Sequence, residues 1–261
     1  IASILFSLLL ISSVVFAQNG AKKPYSWTNL PVIAKTSFKA DTFNILKYGA
    51  IADGITLNTK AINDAIIACN KKGGGVVVIP KGLWITGPIE LKSNVNLHLQ
   101  KNSVLQFTRD FDQYPLVAGN WEGLPQMRNQ SPLWAKNQTN IGITGYGIID
   151  GAGDAWRFVK KVELTESQWK KLVASGGALS DDKKTWHPSQ QALDASKMKN
   201  PGEITPDKTP EFYKSIKDFL RPNLLVFTSC KRILLEGVTF QNSPAWNIHP
   251  LMCEDLTVRN V

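Results

Sequence analysis

The most chemically loaded string in the chain is Leu234-Leu-Glu-Gly-Val-Thr-Phe-Gln-Asn-Ser-Pro-Ala-Trp-Asn-Ile-His-Pro250. Within it Asn247 and His249 bring an amide and an imidazole, groups that donate hydrogen bonds to a carboxylate or a hydroxyl. The plain alternative for His249, beside Pro250, is that it ties down its own turn. Trp246 offers a face for ring stacking, but filling a core is the stronger expectation there. His98 stands in Val95-x-Leu97-x-Leu99 on the face opposite the apolar residues, which reads as surface. His187, next to Trp186, has no position fixed by its surroundings in sequence. No G-x-S-x-G elbow, H-E-x-x-H pair or Walker lysine occurs, so serine hydrolase, zinc protease and NTPase chemistry lack their motifs. Gly73-Gly74-Gly75 follows a helical pattern and precedes an extended one, the reverse of the order that aims a helix N-terminus at a phosphate, so it reads as a turn.

Composition narrows the partners. The 261 residues are 43% hydrophobic and 20% charged, an ordinary globular balance, and 30 Lys plus Arg against 21 Asp plus Glu leave +9. That charge suits nucleic acid, an anionic membrane or a polyuronate. Basic and aromatic residues are not interleaved on one element, so nucleic acid ranks low. Three cysteines make no disulfide framework and no zinc site. Residues 1–17 carry no charge and end Val15-Phe16-Ala17, which reads as a signal peptide lacking its first few residues, with the mature chain starting near Gln18; a permanent anchor is the weaker reading, because a bilayer span needs roughly 20 residues. Residues 18–40 are a Lys- and Pro-containing lead. The last residues read as a strand in progress, and an uncovered strand edge there leads us to expect poor solubility.

The elements that must position these groups are short. After an alternating stretch at Phe43 that stops at Tyr48-Gly49-Ala50 and an Asp53-Gly54 turn, residues 59–72 place Ile62, Ile66 and Cys69 on one helical side, with Asn58 or Thr59 as N-cap and Gly73 as stop. Apolar runs of three to five residues follow at 76–79, 83–85, 88–91, 95–99 and 104–107. Cys230-Lys-Arg-Ile233-Leu-Leu235-Glu-Gly-Val238 overlays Cys253-Glu-Asp-Leu256-Thr-Val258-Arg-Asn-Val261 at an offset of 23, and the stretch 140–151 resembles the same unit. Short strands at that period, with no helices between them, predict an all-β chain wound as a parallel β-helix of about five coils. The helix is expected to cap the first coil. Cys230 and Cys253 then become ladder neighbours, expected as two buried thiols rather than a disulfide. Residues 157–221, with a helical candidate around 163–173, are expected to be a long insertion between coils. The β-helix domain is placed at 41–261, incomplete at its C-terminal end.

With residues 43–91, Gly145-Tyr-Gly-Ile-Ile-Asp-Gly-Ala-Gly-Asp-Ala-Trp156 and Arg221-Pro222, the 234–250 string resembles glycoside hydrolase family 28, the polygalacturonase family of pectin-degrading right-handed β-helices. The resemblance runs from about residue 41 to 261 outside the insertion. It implies a pectin-lyase-like solenoid and an inverting hydrolase of α-1,4-galacturonosyl bonds, in which one carboxylic acid protonates the leaving oxygen and carboxylates opposite activate a water. No cofactor is implied. The partner implied is pectin or an oligogalacturonide, with no nucleic acid, no membrane after signal removal, a monomer at full length, and a secreted or periplasmic location.

The family's catalytic groups come from an Asn-x-Asp-Gly-x-Asp run, an Asp-Asp pair, a Gly-His-Gly and an Arg-x-Lys. None of these stands at its place here: Asp181-Asp182 falls in the insertion and Glu254-Asp255 follows the wrong strand. The resemblance thus implies carboxylates beyond Val261, no hydrolysis by residues 1–261 alone, and a neighbouring sugar subsite at Asn247 and His249. The inserted length motivates exo-action. The competing readings are a calcium-dependent pectate lyase and a non-enzymatic carbohydrate-binding β-helix.

Overall fold

The computed structural model describes residues 26–261. The stretch read as a signal peptide lies outside the described residues. The chain divides into two units, Ile1–Val32 and Ile33–Val261. In the first, the described residues make a turn in which Asn29 N donates to Ser26 O at 2.9 Å. Among the described residues, all regular strands and helices belong to the second, and no helix is long and apolar enough to cross a membrane.

The second unit opens with β1 (Thr42–Asn44), a 3-10 turn at Ile45–Tyr48, β2 (Asp53–Leu57) and α1 (Thr59–Lys71). Next come β3 (Gly75–Ile79), β4 (Gly82–Thr86), β5 (Ile89–Glu90), β6 (Val95–Leu99) and β7 (Ser103–Phe107). A hairpin, β8 (Leu116–Trp121) and β9 (Leu124–Asn129), interrupts the winding before β10 (Leu133–Lys136), β11 (Thr139–Gly145) and β12 (Ile148–Asp150). The long excursion carries β13 (Val159–Lys160), α2 (Glu166–Ala174), β14 (Ala178–Leu179), β15 (Thr185–His187), α3 (Gln190–Ser196) and α4 (Pro210–Ser215). Winding resumes with β16 (Leu225–Thr228), β17 (Lys231–Glu236), β18 (Thr239–Gln241), β19 (Ile248–Leu251) and β20 (Glu254–Arg259).

Three parallel sheets result, ordered β1-β3-β6-β11-β17-β20, β5-β10-β16-β19 and β2-β4-β7-β12-β18. The expected register holds: Ile141 pairs with Ile233, and Ile233 with Leu256. Alternate residues of each strand point inward and join one apolar cluster, including Val77, Leu97, Ile143 and Leu235 from the first sheet and Leu133, Leu225 and Phe227 from the second. Only apolar side chains stack in such inward ladders without burying an unpaired polar group. The apolar face of α1, Ala61, Ile62, Ala65, Ile66 and Cys69, enters the same cluster. Asn58 holds the N-cap position but makes no cap bond. Its side chain instead joins Ile51, Thr56 and Ile85, tying the start of the helix to β4. Cys230 and Cys253 are free thiols, each donating to backbone carbonyls; Cys230 is buried as expected, but Cys253, in the last coil, is only partly so.

The corners explain how three short strands per coil stay in step. Asn94, Asn140, Arg232 and Asp255 occupy equivalent positions of successive coils and all adopt φ between +54° and +63°. Asn137, Ser229 and Met252 form a second such column at the turn out of the four-stranded sheet. The left-handed conformation reverses the chain within one residue, and Asn tolerates it better than most side chains.

Two expectations from sequence are corrected. The Asp53-Gly54 pair is not a free turn but the beginning of β2; Asp53 folds back to accept from Ile55 N and Thr56 N while the strand pairs with β4. The insertion is also not the only departure from the coils, because β8 and β9 form an antiparallel hairpin. The two excursions fold onto each other. Met127 N donates to Gly202 O at 2.7 Å and Asn129 N to Leu220 O at 3.1 Å. A second apolar cluster of Ala195, Tyr213, Ile216 and Leu220 packs against Leu116 and Met127.

Candidate functional site

The outer face of the four-stranded sheet is where the expected residues gather. Trp134, Val226 and His249 pair across β10, β16 and β19, forming one outward column. The hairpin stands beside this column and, with it, lines a cavity of about 620 Å³ that includes Trp121, Arg128, Trp134, Asn223, Val226 and His249. A second cavity, about 530 Å³, is lined by Trp121, Arg157, Arg221, Asn242, Trp246 and Asn247, among others. His249 and Asn247 thus line adjoining cavities that share Trp121.

Buried Asn223 fixes the loop between them. Its Oδ1 accepts from Trp246 N at 3.1 Å, and its Nδ2 lies 3.1 Å from His249 Nδ1, where the imidazole accepts if the amide donates. Trp246 does not fill the core, contrary to the sequence expectation. It is 43% exposed and stacks on Trp121 at 5.2 Å between ring centroids and 14° between planes. The His249 ring meets its edge at 5.4 Å and 82°. In the Asn-Ser-Pro turn before it Ser243 is buried, and its Oγ accepts from Leu224 N and donates to Trp246 O. Gly153 must be glycine for this turn to seat, since a Cβ there would stand 2.2 Å from Ser243 O. Asp150 is buried and fully occupied, accepting from Gln241, Asn242 and Ala152 N.

The electrostatics are one-sided. Arg157 donates to Ser243 O and Arg221 to Pro244 O. Arg128 lies over Trp121, its guanidinium carbon 3.7 Å from the ring centroid, and its Nε is buried without a partner. Among the described residues none of these three arginines has a carboxylate at ion-pair distance. Burial, and then the neighbouring Arg221, hold Arg128 down to about 10, with Glu122 opposing; burial and Arg157 lower Arg221. Among the described residues no Asp or Glu lines either cavity. Hydrogen-bond donors, cations and aromatic faces over a solenoid groove suit an anionic, ring-built ligand.

The model of a family described as rhamnogalacturonase A/epimerase, pectate lyase-like, matches residues 42–187, more than half of the chain. The chain belongs to that family. This family member is polygalacturonase-like in sequence. It is 26% identical over 234 residues to a probable polygalacturonase of Vitis vinifera, covering 86% of this chain and 37% of that protein. With an exo-poly-alpha-D-galacturonosidase of Dickeya chrysanthemi it shares 38% over 130 residues, 47% of this chain and 21% of the other. The solved exopolygalacturonase of Thermotoga maritima superposes with a TM-score of 0.63 at 28% identity, over 87% of this chain and 48% of its own. The Yersinia enterocolitica family 28 exopolygalacturonase, TM-score 0.60 at 24% identity over 87% and 39%, shares the fold. This family member therefore spans less than half the length of these relatives.

The sequence singles out Asn247 and His249, which line these cavities, but not Trp121, Arg128 and Asn223, which line them too. In the sequence Arg157 appears only as a border of the insertion, and Arg221 as its other border and in the Arg221-Pro222 pair that carries part of the resemblance, neither as a binding residue. The hairpin carries a usable signal: Glu122-Gly123 takes φ of +52° and +87°, the two positive values of a type I′ turn. Asn or Asp usually fills the first of these positions, and Glu conceals it. His187 is buried in the excursion and lines a separate cavity. His98 points outward as expected, its Nδ1 2.9 Å from Thr144 Oγ1.

Proposed function

We propose that this chain forms the sugar-acid-binding part of a pectin-degrading glycoside hydrolase that inverts α-1,4-galacturonosyl bonds. In this reading the solenoid is right-handed, α1 closes its first coil, and the acid and base carboxylates lie outside residues 1–261. The observation that carries the reading is the set of three arginines, Arg128, Arg157 and Arg221, that among the described residues have no acidic partner and surround cavities lined by no carboxylate. A guanidinium pairs with a planar carboxylate through paired N–H donors, and stacked Trp121 and Trp246 offer faces for pyranose C–H groups. Asn247 and His249 complete the donor set for a uronate carboxylate or hydroxyl.

Exo-action by the whole protein belongs to the same proposal. Its support is the wall that the hairpin and the excursion raise beside the groove, together with the exo-acting relatives. So do secretion or a periplasmic location, resting on the uncharged residues 1–17, and a monomeric state of the whole protein.

Calorimetric titration of the chain with trigalacturonate tests the core of this. Arg221→Gln and Arg157→Gln are each expected to weaken binding about tenfold, the scale of one lost charge-assisted contact. Equal affinity for a neutral trigalactose, or no effect of either substitution, defeats the reading. Release of reducing ends from polygalacturonate by the 261-residue chain is expected to stay at background.

A further inference from the structure

Cys230 and Cys253 stand at corresponding places of the last two coils, each one residue before a strand, β17 and β20. Those strands pair in parallel from Lys231 with Glu254 onward, and Glu254 N donates to Cys230 O at 2.9 Å. Paired strands run about 4.8 Å apart, inside the Cα separation of about 4.4–6.8 Å that a disulfide spans. Both side chains turn to the same interior, Cys230 within the main apolar cluster and Cys253 packed against it. Their sulfurs also lean together. Cys230 Sγ donates to Thr228 O at 3.4 Å, and Cys253 Sγ reaches back across the coil gap to the neighbouring carbonyl, Phe227 O, at 3.3 Å. Burial above all pushes the Cys230 thiol up, and the Cys253 side chain, close enough to hydrogen-bond it, pushes it the same way. Cys230 is fully buried, whereas Cys253 is only partly so. The third thiol, Cys69, is buried in α1 against the first coils.

We propose that Cys253 and Cys230 are the attacking and resolving thiols of an intramolecular disulfide, formed across the last two coils when the folded chain meets a small organic disulfide. The Cys253 thiolate attacks one sulfur of that reagent, forming a mixed disulfide and releasing one thiol. Cys230 then gives up its proton and attacks the Cys253 sulfur, and the second reagent thiol leaves. Two protein thiols are oxidised and one external disulfide is reduced. The order follows from access: the partly exposed sulfur meets the reagent, and the buried one needs only to reach its neighbour. The new bond closes a loop over residues 231–252, which hold Asn242, Ser243, Trp246, Asn247 and His249. Cross-linking such a loop restricts the unfolded chain, so the coil that carries the candidate site is tied to the one before it. The proposal stands independently of the ligand read for that site.

The test incubates the folded chain with oxidised glutathione, then unfolds and alkylates it for mass spectrometry. Of the three cysteines only Cys69 is expected to be alkylated, with a proteolytic peptide joining Cys230 to Cys253 and a protein mass lower by two hydrogens before alkylation. The oxidised chain is expected to unfold about 5 °C higher than the reduced one, a difference that dithiothreitol removes. Cys69→Ser should still form the bond, and Cys253→Ser should leave both remaining cysteines open to alkylation, with no glutathione on Cys230. Alkylation of all three cysteines, glutathione left on Cys253 beside a free Cys230, a bond to Cys69 or to a second chain, or oxidation only in denaturant each overturns the proposal. An unchanged midpoint once the bond has formed defeats the claim that it ties the two coils.

Discussion

Asn223 does more for the site than its place in the chain announces. It is buried, and one amide holds both the backbone of Trp246 and the ring of His249. Asn223→Ala leaves those groups unpaired, so a loss of about 1–3 kcal/mol in denaturant unfolding is expected, together with weaker trigalacturonate binding. Arg128 makes a pH prediction. Its folded-state value lies below the ordinary guanidinium range because burial and Arg221 disfavour the charged form. The folded chain therefore releases this proton at a lower pH than the unfolded chain. Through this group alone, stability rises as pH climbs past about 10. Affinity for a uronate moves the opposite way, because a bound carboxylate favours the charged guanidinium. Titrations at pH 8 and pH 10.5 should show weaker binding at the higher pH, and Arg128→Lys should change that profile.

At the scale of elements, the coil corners are where sequence and geometry conflict most. Met252 is 80% exposed and held at φ +52°, while Asn137 occupies the same corner two coils earlier. A left-handed conformation costs an ordinary side chain about 1–2 kcal/mol, much of which Asn avoids. Met252→Asn is therefore expected to stabilise by about 1 kcal/mol in chemical denaturation. An unchanged midpoint would mean that the corner is set by its neighbours and not by its own residue. The hairpin obeys the same rule at Glu122, which explains why its strands were hidden: the turn type that fixes their pairing is filled by a residue that rarely announces it.

For the whole molecule, the solenoid makes each coil the floor of the next. Ile233 is fully buried between Ile141 and Leu256, its partners one coil to either side. Ile233→Ala is expected to cost about 2–5 kcal/mol. Hydrogen exchange should accelerate first in β11, β17 and β20, because each coil depends chiefly on its neighbours. Uniform acceleration from α1 to β20 would instead mark one all-or-none unit. A segment outside the coils crosses several of them: Ala34 N donates to Asp255 Oδ1, Ser37 exchanges two bonds with Asn140, and Phe38 covers Gly142.

The winding was legible in the sequence because a stacked solenoid repeats its constraint. Every coil must bury apolar residues at the same positions, so Ile233 and Leu256 reveal their contact by spacing alone. Asn247 and His249 stood out because the run that holds them resembles a known family, which implies a sugar subsite there. Other parts of the site carry no period. Trp121 and Arg128 reach the groove only because a hairpin folds over it, and Arg157 and Arg221 meet only because the excursion between them starts after β12 and ends where β16 begins the next coil. Those are long-range pairings with no repeat to betray them, so tertiary structure alone decided where the arginines gather and that Trp246 faces solvent.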